Sequence, residues 1–465
     1  MKAFMVASAA TGSGKTTLTL ALIAGLRRRG LVVQSFKCGP DFIDPAHHTH
    51  VAGRSSRNLD SWMLDRHANR EIFHHASFGG DIAVAEAMMG LFDGVTGAGE
   101  QGSSAEIAKQ LGLPVLLVLD ASKAARSIAA VIQGFENFDA DLRILGVILN
   151  GVGSEGHLQF LQQAIGASCK SPVLGSLPHT PALHIPERHL GLVTAAERPL
   201  STEQISLLAD LAERNIDLDA LLRACGSVTS YVSPGAAIPA RIHSDDSATK
   251  VRIGVPRDQA FCFYYEDNLE MLRSEGAEIV EFNSLQCNSL PTGLDALYFG
   301  GGYPEVFARQ LSENQPLIRD LRQFVSSGRP VYAECGGLIY LSDRLRTLDG
   351  HTFKMAGVLP LAIEMTSGLV HFGYTEVTFE RDCLLGKRGD VARGHSFHYS
   401  KMTELGEVDH AYRAAYTLSG RSELEGFVKD NVLASYIHLH FRSNTGLAAS
   451  LVAHARAARE AALQL

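Results

Sequence analysis

Short apolar runs alternate with longer amphipathic stretches from the first residues onward. Residues 2–7 (KAFMVA), 31–36 (LVVQSF), 82–85 (IAVA), 115–119 (VLLVL) and 144–149 (ILGVIL) have the apolar, β-branched character that predicts buried strands. Between the first two, residues 17–29 (TLTLALIAGLRRR) carry the pattern of a helix. Strands and helices in this rhythm predict a parallel sheet covered on both faces. The rhythm fades after about residue 225. Residues 226–250 are rich in Ser, Gly, Pro and Ala, which predicts a linker. A second series opens at residues 251–255 (VRIGV) and continues through 296–299 (ALYF), 330–334 (PVYAE) and 433–438 (LASYIH). The expected fold class is α/β with two domains, residues 1–225 and 251–465, joined by residues 226–250.

A chain of 465 residues exceeds one ordinary core, in keeping with that division. A formal net charge of −8 argues against a general nucleic-acid or anionic-membrane binder. No apolar run reaches transmembrane length. The apolar start, residues 1–10, leads into a glycine-containing loop instead of a cleavage site, so no signal peptide is expected and the location expected is cytoplasmic. The seven cysteines are scattered and form no CxxC pair, which predicts reduced thiols, not a zinc site or a disulfide frame. Cys335 differs from the rest in its surroundings.

Residues 9–16 (AATGSGKT) follow a predicted strand and open a predicted helix. They match the phosphate-loop pattern G-x-x-x-x-G-K-[ST] except that Ala9 replaces the first glycine. Gly12 and Gly14 let backbone N–H groups close around phosphate oxygens, and the helix start adds positive potential. Lys15 supplies charge to the terminal phosphates, Thr16 offers a hydroxyl to Mg²⁺, and Thr17 continues the loop. A nucleotide with Mg²⁺ is thus expected. Glu86 ends the predicted strand of residues 82–85, where a carboxylate faces the ligand crevice, and is a candidate for the metal. Asp41 and Asp44, in FKCGPDFIDPAHH, suit metal or substrate and equally suit the capping of a turn. Asn150, just beyond another strand, is placed to read an adenine edge.

In the second series, AECGG (residues 333–337) reads as strand, sharp turn and helix. Such a turn exposes a nucleophile, here Cys335, and sets the Gly336 amide where an oxyanion would develop. The helix start favours the thiolate. GGGYPE (residues 300–305) follows another strand, and its Gly302 is the preferred second oxyanion donor. A base is needed, and SYIHLHF offers His438 and His440. His395 and His398, in RGHSFHYS, are further candidates for shaping the pocket.

Cys335 in AECGG, the GGGYPE loop and the late His438 together resemble a class I glutamine amidotransferase domain. The N-terminal half resembles dethiobiotin synthetase and, more closely, the cobyrinic (or hydrogenobyrinic) acid a,c-diamide synthases. AATGSGKTT, FKCGPDFIDPAHH, SRNLDSWML, AEAMMGLFDG and PERHLGLV carry that likeness, and FCFYYEDNLE, GGGYPE, AECGG and RGHSFHYS continue it. The resemblance spans essentially the whole chain. It implies a first domain that phosphorylates an acetate side chain of a corrin and a second that cuts ammonia from glutamine to form the amide, at two acetates in turn. It also implies that Asp41, Phe42, Ile43, Glu86 and Asp93 lie near phosphates and substrate, with Thr16, Glu86 and Asp41 about Mg²⁺. Most glutamine amidotransferases of this class have an acidic residue two positions after the histidine; in this chain that position is His440, and the resemblance implies a Cys–His dyad. Two other departures are Ser396, where the motif usually has Glu, and Gly151, where a basic residue is common. The implied partners are small molecules, namely ATP, glutamine and a corrinoid acid, and a homodimer is compatible with the sequence. Three alternatives fit less well, one of them a binding module that has lost catalysis. A cobyric acid synthase would amidate other side chains and lacks reason to carry the FKCGPDFIDPAHH segment. A partitioning-type ATPase switch would carry a second lysine early in the loop, where this chain has Ala10.

Overall fold

A computed structural model describes residues 1–178, 187–188, 191–226 and 250–464. The expected linker, apart from its two end residues, and part of the 186–193 segment lie outside the described residues. The chain divides into two compact units, Met1–Pro234 and Gly235–Leu465.

The N-terminal unit is built on seven parallel strands: β1 (Lys2–Ser8), β2 (Val33–Cys38), β3 (Arg57–Leu59), β4 (Ile82–Glu86), β5 (Val115–Asp120), β6 (Ile144–Asn150) and β7 (Val173–Leu177). Their order is β3-β2-β4-β1-β5-β6-β7. The helices are α1 (Lys15–Arg28), α2 (Ile43–Ala52), α3 (Arg66–Ala76), α4 (Ser104–Leu111), α5 (Ser127–Phe138), α6 (Glu155–Gly166), α7 (Thr202–Asn215) and α8 (Leu218–Ala224). A small hairpin pairs β8 (Glu187–Arg188) with β9 (Gly191–Leu192). The order reverses direction at β1, which places the crevice for a ligand at that strand's C-terminal end.

Strand β5 shows why its sequence is apolar throughout. Leu116 and Val118 pack in one core with Leu18 and Leu22 of α1 and with Leu208 and Ala212 of α7. Leu117 and Leu119 point the other way, into a core with Ile128, Ile132, Leu161 and Ile165 of α5 and α6. Both faces of a parallel sheet are covered, so the period of two is hidden by burial on each side.

Helix α1 carries the phosphate loop at its start and is locked along α7. A side chain on Gly25 would place its Cβ 2.9 Å from the Ala212 methyl, so the two helices meet closely there. Arg28 pairs with Asp210 at 2.5 Å, and Arg29 with Glu213 at 2.9 Å. The start of α7 is closed by a reciprocal cap. The Gln204 N–H donates to Ser201 Oγ at 3.2 Å, and the Ser201 N–H donates to Gln204 Oε1 at 3.0 Å.

The C-terminal unit has β10 (Val251–Pro256), α9 (Glu266–Ser274), β11 (Ala277–Phe282), β12 (Ala296–Phe299), α10 (Ala308–Glu313), α11 (Gln315–Ser326), β13 (Val331–Glu334) and α12 (Gly336–Leu341). Then come β14 (Arg344–Arg346), β15 (Thr352–Lys354), β16 (Leu361–Met365), β17 (His371–Phe379), β18 (Val391–His398), β19 (Ser400–Glu404), β20 (Asp409–Tyr416), β21 (Ser422–Lys429), β22 (Val432–Ser435), β23 (His438–Leu439) and α13 (Gly446–Leu463). The ten-stranded sheet runs β11-β10-β12-β13-β22-β21-β20-β17-β18-β23. Its first five strands are parallel and the rest antiparallel. A separate four-stranded sheet runs β15-β14-β16-β19.

The expected single strand over residues 433–438 is two strands. β22 pairs with β13, whereas β23 leaves it and pairs with β18. The break has a cause in the side chains. The buried Glu425 carboxylate accepts the Tyr436 N–H at 2.8 Å and the Ser435 hydroxyl at 2.6 Å, and Ser435 Oγ accepts the Ile437 N–H at 2.9 Å. These bonds replace the sheet partners that residues 436 and 437 would otherwise need.

Ser201→Ala removes one side of the α7 cap. It is expected to lower the stability of the N-terminal unit by about 1 kcal/mol, read as an earlier midpoint of that unit's denaturant transition.

Candidate active site

In the N-terminal unit four strand ends meet around the loop that follows β1. Gly12 and Gly14 have φ values of 81° and 91°. At Gly14 glycine is required twice over: the backbone is left-handed, and a Cβ would lie 2.3 Å from Asn150 Nδ2. That nitrogen donates to the Ser13 carbonyl at 3.0 Å, so Asn150 props the loop. Lys15 is buried and reaches Ser8 Oγ at 2.8 Å and the Ala10 carbonyl at 3.1 Å. Burial, and then the nearby Lys37 charge, push its pKa down to about 8 against the pull of Glu86, Asp44 and Asp93. Thr17 is half-buried at the same helix start.

The Thr16 hydroxyl donates to Glu86 Oε1 at 2.8 Å and lies 3.4 Å from Asp44 Oδ2. Glu86 is fully buried at the end of β4. Beside it in the sheet register stands Lys37, near the end of β2, whose Nζ lies 2.9 Å from Glu86 Oε1 and 2.5 Å from Asp44 Oδ2. His48 Nε2 meets the second Glu86 oxygen at 2.8 Å. Burial opposes charge on both partners. For Lys37 the carboxylates of Asp44, Glu86 and Asp41 outweigh it and hold the ammonium well above its ordinary pKa. For Glu86, Lys37 and His48 outweigh it and hold the carboxyl well below the usual range.

Asp41 serves two purposes. Its Oδ1 accepts the Ile43 and Asp44 N–H groups at 2.8 and 3.2 Å, closing the start of α2, and its Oδ2 lies 3.7 Å from Lys37. Phe42 and Ile43 are half-buried at that helix start. Asp93 closes a tight turn by accepting the Gly90 N–H at 2.8 Å, and its charge is felt at Lys15.

Thr16, Glu86 and Asp44 bring three hard oxygen donors together, a set whose chemistry fits Mg²⁺. Among the described residues no three His, Cys, Asp or Glu side chains form a metal cage by themselves.

In the C-terminal unit Cys335 follows β13 directly and caps the start of α12, with φ 46° and ψ −98°; it is buried, not exposed as the turn alone predicts. A residue with a Cβ is strained there, by about 1–3 kcal/mol. The conformation is held by the Cys335 N–H donating to the Ser435 carbonyl at 2.7 Å and by the Ile339 N–H donating to the Cys335 carbonyl at 3.0 Å. Gly302 and Gly336 lie back to back: a Cβ on Gly336 would be 2.9 Å from the Gly302 nitrogen, so the two expected oxyanion donors share one small space. His438 enters from β23, buried, with its Cε1 only 2.4 Å from where a Cβ on Gly301 would stand. Burial disfavours its charge, yet interaction with Cys335 and Glu334 lifts its pKa to about 9. His395 stacks on it at 4.9 Å between ring centroids and is held well below its ordinary pKa by burial. His398 stacks instead on Tyr436, at 3.9 Å, and burial pushes it down to about 4.

Sequence reasoning passed over Lys37, His48 and Glu334. A signal for Lys37 exists: it is a charge near a strand end, as Glu86 is, and the parallel register sets the two side by side. Glu334 carries the same signal, a charge at the end of a predicted strand, whereas for His48 the helix pattern holds no such pointer.

Two family models match the chain. The "CobQ/CobB/MinD/ParA nucleotide binding domain" covers residues 4–193, and the "CobB/CobQ-like glutamine amidotransferase domain" covers residues 252–446. Among curated proteins, the cobyrinate a,c-diamide synthase of Syntrophotalea carbinolica is 42% identical, over 96% of this chain and 97% of its own. That of Priestia megaterium is 41% identical over 97% of each. That of Archaeoglobus fulgidus is 41% identical over 96% of each.

Lys37→Met leaves the buried Glu86 and the half-buried Asp44 carboxylates facing one another. It is expected to destabilise the N-terminal unit by about 3–5 kcal/mol, as measured by chemical denaturation. His438→Ala is expected to abolish glutamine hydrolysis, and His440→Ala to weaken it less, in a glutamate-release assay.

Proposed function

The chain belongs to the cobyrinate a,c-diamide synthase family, and on that basis we propose that it converts the a and c acetate carboxylates of cobyrinate or hydrogenobyrinate into amides. It is a glutamine-dependent ligase that uses ATP, and its place is in cobalamin biosynthesis. The observation that carries the fuller reading is the elbow cysteine paired with His438 in the same chain as a phosphate loop backed by Glu86 and Lys37.

In the synthase unit a corrin carboxylate oxygen attacks the γ-phosphorus of ATP, and the bond to the ADP oxygen breaks. The product is an acyl phosphate. Ammonia then attacks its carbonyl carbon, phosphate leaves with the C–O electron pair, and one proton is lost from nitrogen. Lys15 and Lys37 neutralise charge on the transferring group, and the amides of Gly12 and Gly14 cradle it. Asp41, Phe42, Ile43 and Asp93 border the substrate side, and Asn150 holds the loop and meets the base. Thr16, Glu86 and Asp44, with Asp41 beside them, would hold Mg²⁺, which would supply charge neutralisation at the phosphates.

In the glutaminase unit His438 takes the Cys335 proton, and the sulfur, as thiolate, attacks the glutamine side-chain carbon. The carbonyl electron pair moves to oxygen, facing the Gly302 and Gly336 amides. Collapse expels ammonia, which takes a proton from His438, and leaves a thioester. Water cleaves the thioester, giving glutamate and the free thiol. The names of the relatives support the a,c enzyme over a cobyric acid synthase. A cytoplasmic location is part of this proposal, and a homodimer is compatible with it. No helix among the described residues is long and apolar enough to cross a membrane.

The experiment supplies cobyrinate or hydrogenobyrinate with ATP, Mg²⁺ and either glutamine or ammonia, and reads the products by mass spectrometry. Wild-type protein is expected to add two amides. Cys335→Ser is expected to lose the glutamine-driven reaction and keep the ammonia-driven one, while Lys15→Ala loses both. No amidation of either corrinoid by wild-type protein overturns the reading.

A further inference from the structure

The acidic partner that glutaminases of this class place two residues after the histidine is replaced by His440. This residue is fully buried, its Nδ1 accepts the Arg442 N–H at 3.3 Å, and its ring packs on Tyr265 at 4.5 Å. Burial and Arg442 push it down to about 3, so it is a neutral imidazole with no negative charge to offer His438.

A carboxylate nevertheless stands behind His438. Strand β13 alternates: Val331 and Ala333 face one core, and Tyr332 faces the other. Glu334 continues the second series and is fully buried. Its Oε1 accepts the Tyr332 hydroxyl at 2.7 Å and the Leu439 N–H at 3.2 Å, and its Oε2 accepts the Tyr298 hydroxyl at 3.0 Å. The same Oε2 lies 3.6 Å from His438 Nδ1. Three donors hold the carboxylate in place, and one of them is the amide of the residue next to His438. The 3.6 Å separation is an ion-pair distance, longer than a closed hydrogen bond. Contacts of this kind tighten when substrate organises a site.

We propose that Glu334, the residue immediately before the nucleophile, is the positioning carboxylate of the glutaminase unit, holding His438 through Nδ1 so that Nε2 serves the Cys335 sulfur. The reactive set is then a triad whose acid comes from the nucleophile's own strand. Glu334 touches neither glutamine nor the reacting atoms; it fixes the tautomer and orientation of His438 and stabilises the imidazolium that forms when the thiol gives up its proton. This role rests on the glutaminase activity proposed for the unit.

The other groups facing His438 do not replace it. His395, stacked on the ring from β18, donates or accepts only through neutral nitrogens, and its Nδ1 meets the Tyr265 hydroxyl at 2.8 Å. Tyr298 and Tyr332 are held well above their ordinary pKa by burial and by Glu334, and both donate to that carboxylate. Arg442 pairs with Asp267 at 3.3 Å.

The test is Glu334→Gln in the full chain, which keeps the shape and removes the charge. Glutamine hydrolysis is expected to fall about 100-fold in kcat with KM for glutamine little changed, while ammonia-driven amidation persists. A second measurement uses iodoacetamide alkylation of Cys335 across pH, followed by mass spectrometry of its peptide. In wild-type protein the step set by the His438 proton is expected at about 9. Without the carboxylate it is expected to move down by about 1 pH unit or more. Glu334→Asp, which restores charge at a greater distance, is expected to recover part of the lost kcat. An unchanged alkylation profile, or an aspartate variant no better than the glutamine variant, overturns the proposal. If Glu334→Gln lost the ammonia-driven reaction too, the aspartate variant would decide. Recovery of ammonia-driven and glutamine-driven rates in equal proportion would assign Glu334 to packing and overturn its positioning role. Wild-type protein unable to hydrolyse glutamine would instead sink the glutaminase reading itself.

Discussion

A parallel strand delivers whatever follows its last paired residue to one edge of the sheet, and the polar groups of both sites depend on that constraint. In the N-terminal unit β1 ends in the phosphate loop, β2 in Lys37 and Cys38, β4 in Glu86 and β6 in Asn150. In the C-terminal unit β12 ends at the triple-glycine loop, β13 at Glu334 and Cys335, and β22 at Ser435, whose carbonyl holds the Cys335 N–H. Apolar strand bodies fill the cores, and chemistry is left to the ends, where backbone groups are unpaired and side chains can converge.

Both edges also bring charge out of water, which is unfavourable unless the charge is matched. The two units match it differently. Around Glu86 the partners are a lysine, a histidine and a threonine hydroxyl, so both carboxylate oxygens meet donors. Around Glu334 the partners are two phenols and a backbone amide, all neutral, which leaves the carboxylate's charge to act on His438. A neutral cage keeps that influence directed at one imidazole. Its stacked neighbour His395 stays uncharged.

The sequence made the class of fold, the loop and the elbow legible because each is local. Residues 9–16 and 333–337 hold their meaning within a few positions, and buried parallel strands announce themselves as apolar runs. Long-range facts were less visible. The run at residues 433–438 reads as one strand, since nothing nearby reveals that Glu425, on the neighbouring strand, captures the amide that breaks it. The antiparallel strands β17 to β21 have one partly exposed face and a mixed composition, so they left weak traces. Glu334 read as the last residue of a strand; its tie to His438 is a product of register, which a linear pattern does not encode.

The backbone at Cys335 has an evolutionary corollary. With φ 46° and ψ −98°, position 335 suits glycine better than any residue bearing a side chain. Stability alone would erase the thiol, and only its reactivity retains it. A descendant relieved of hydrolysing glutamine should therefore drift toward glycine at this position, becoming sturdier as it falls silent.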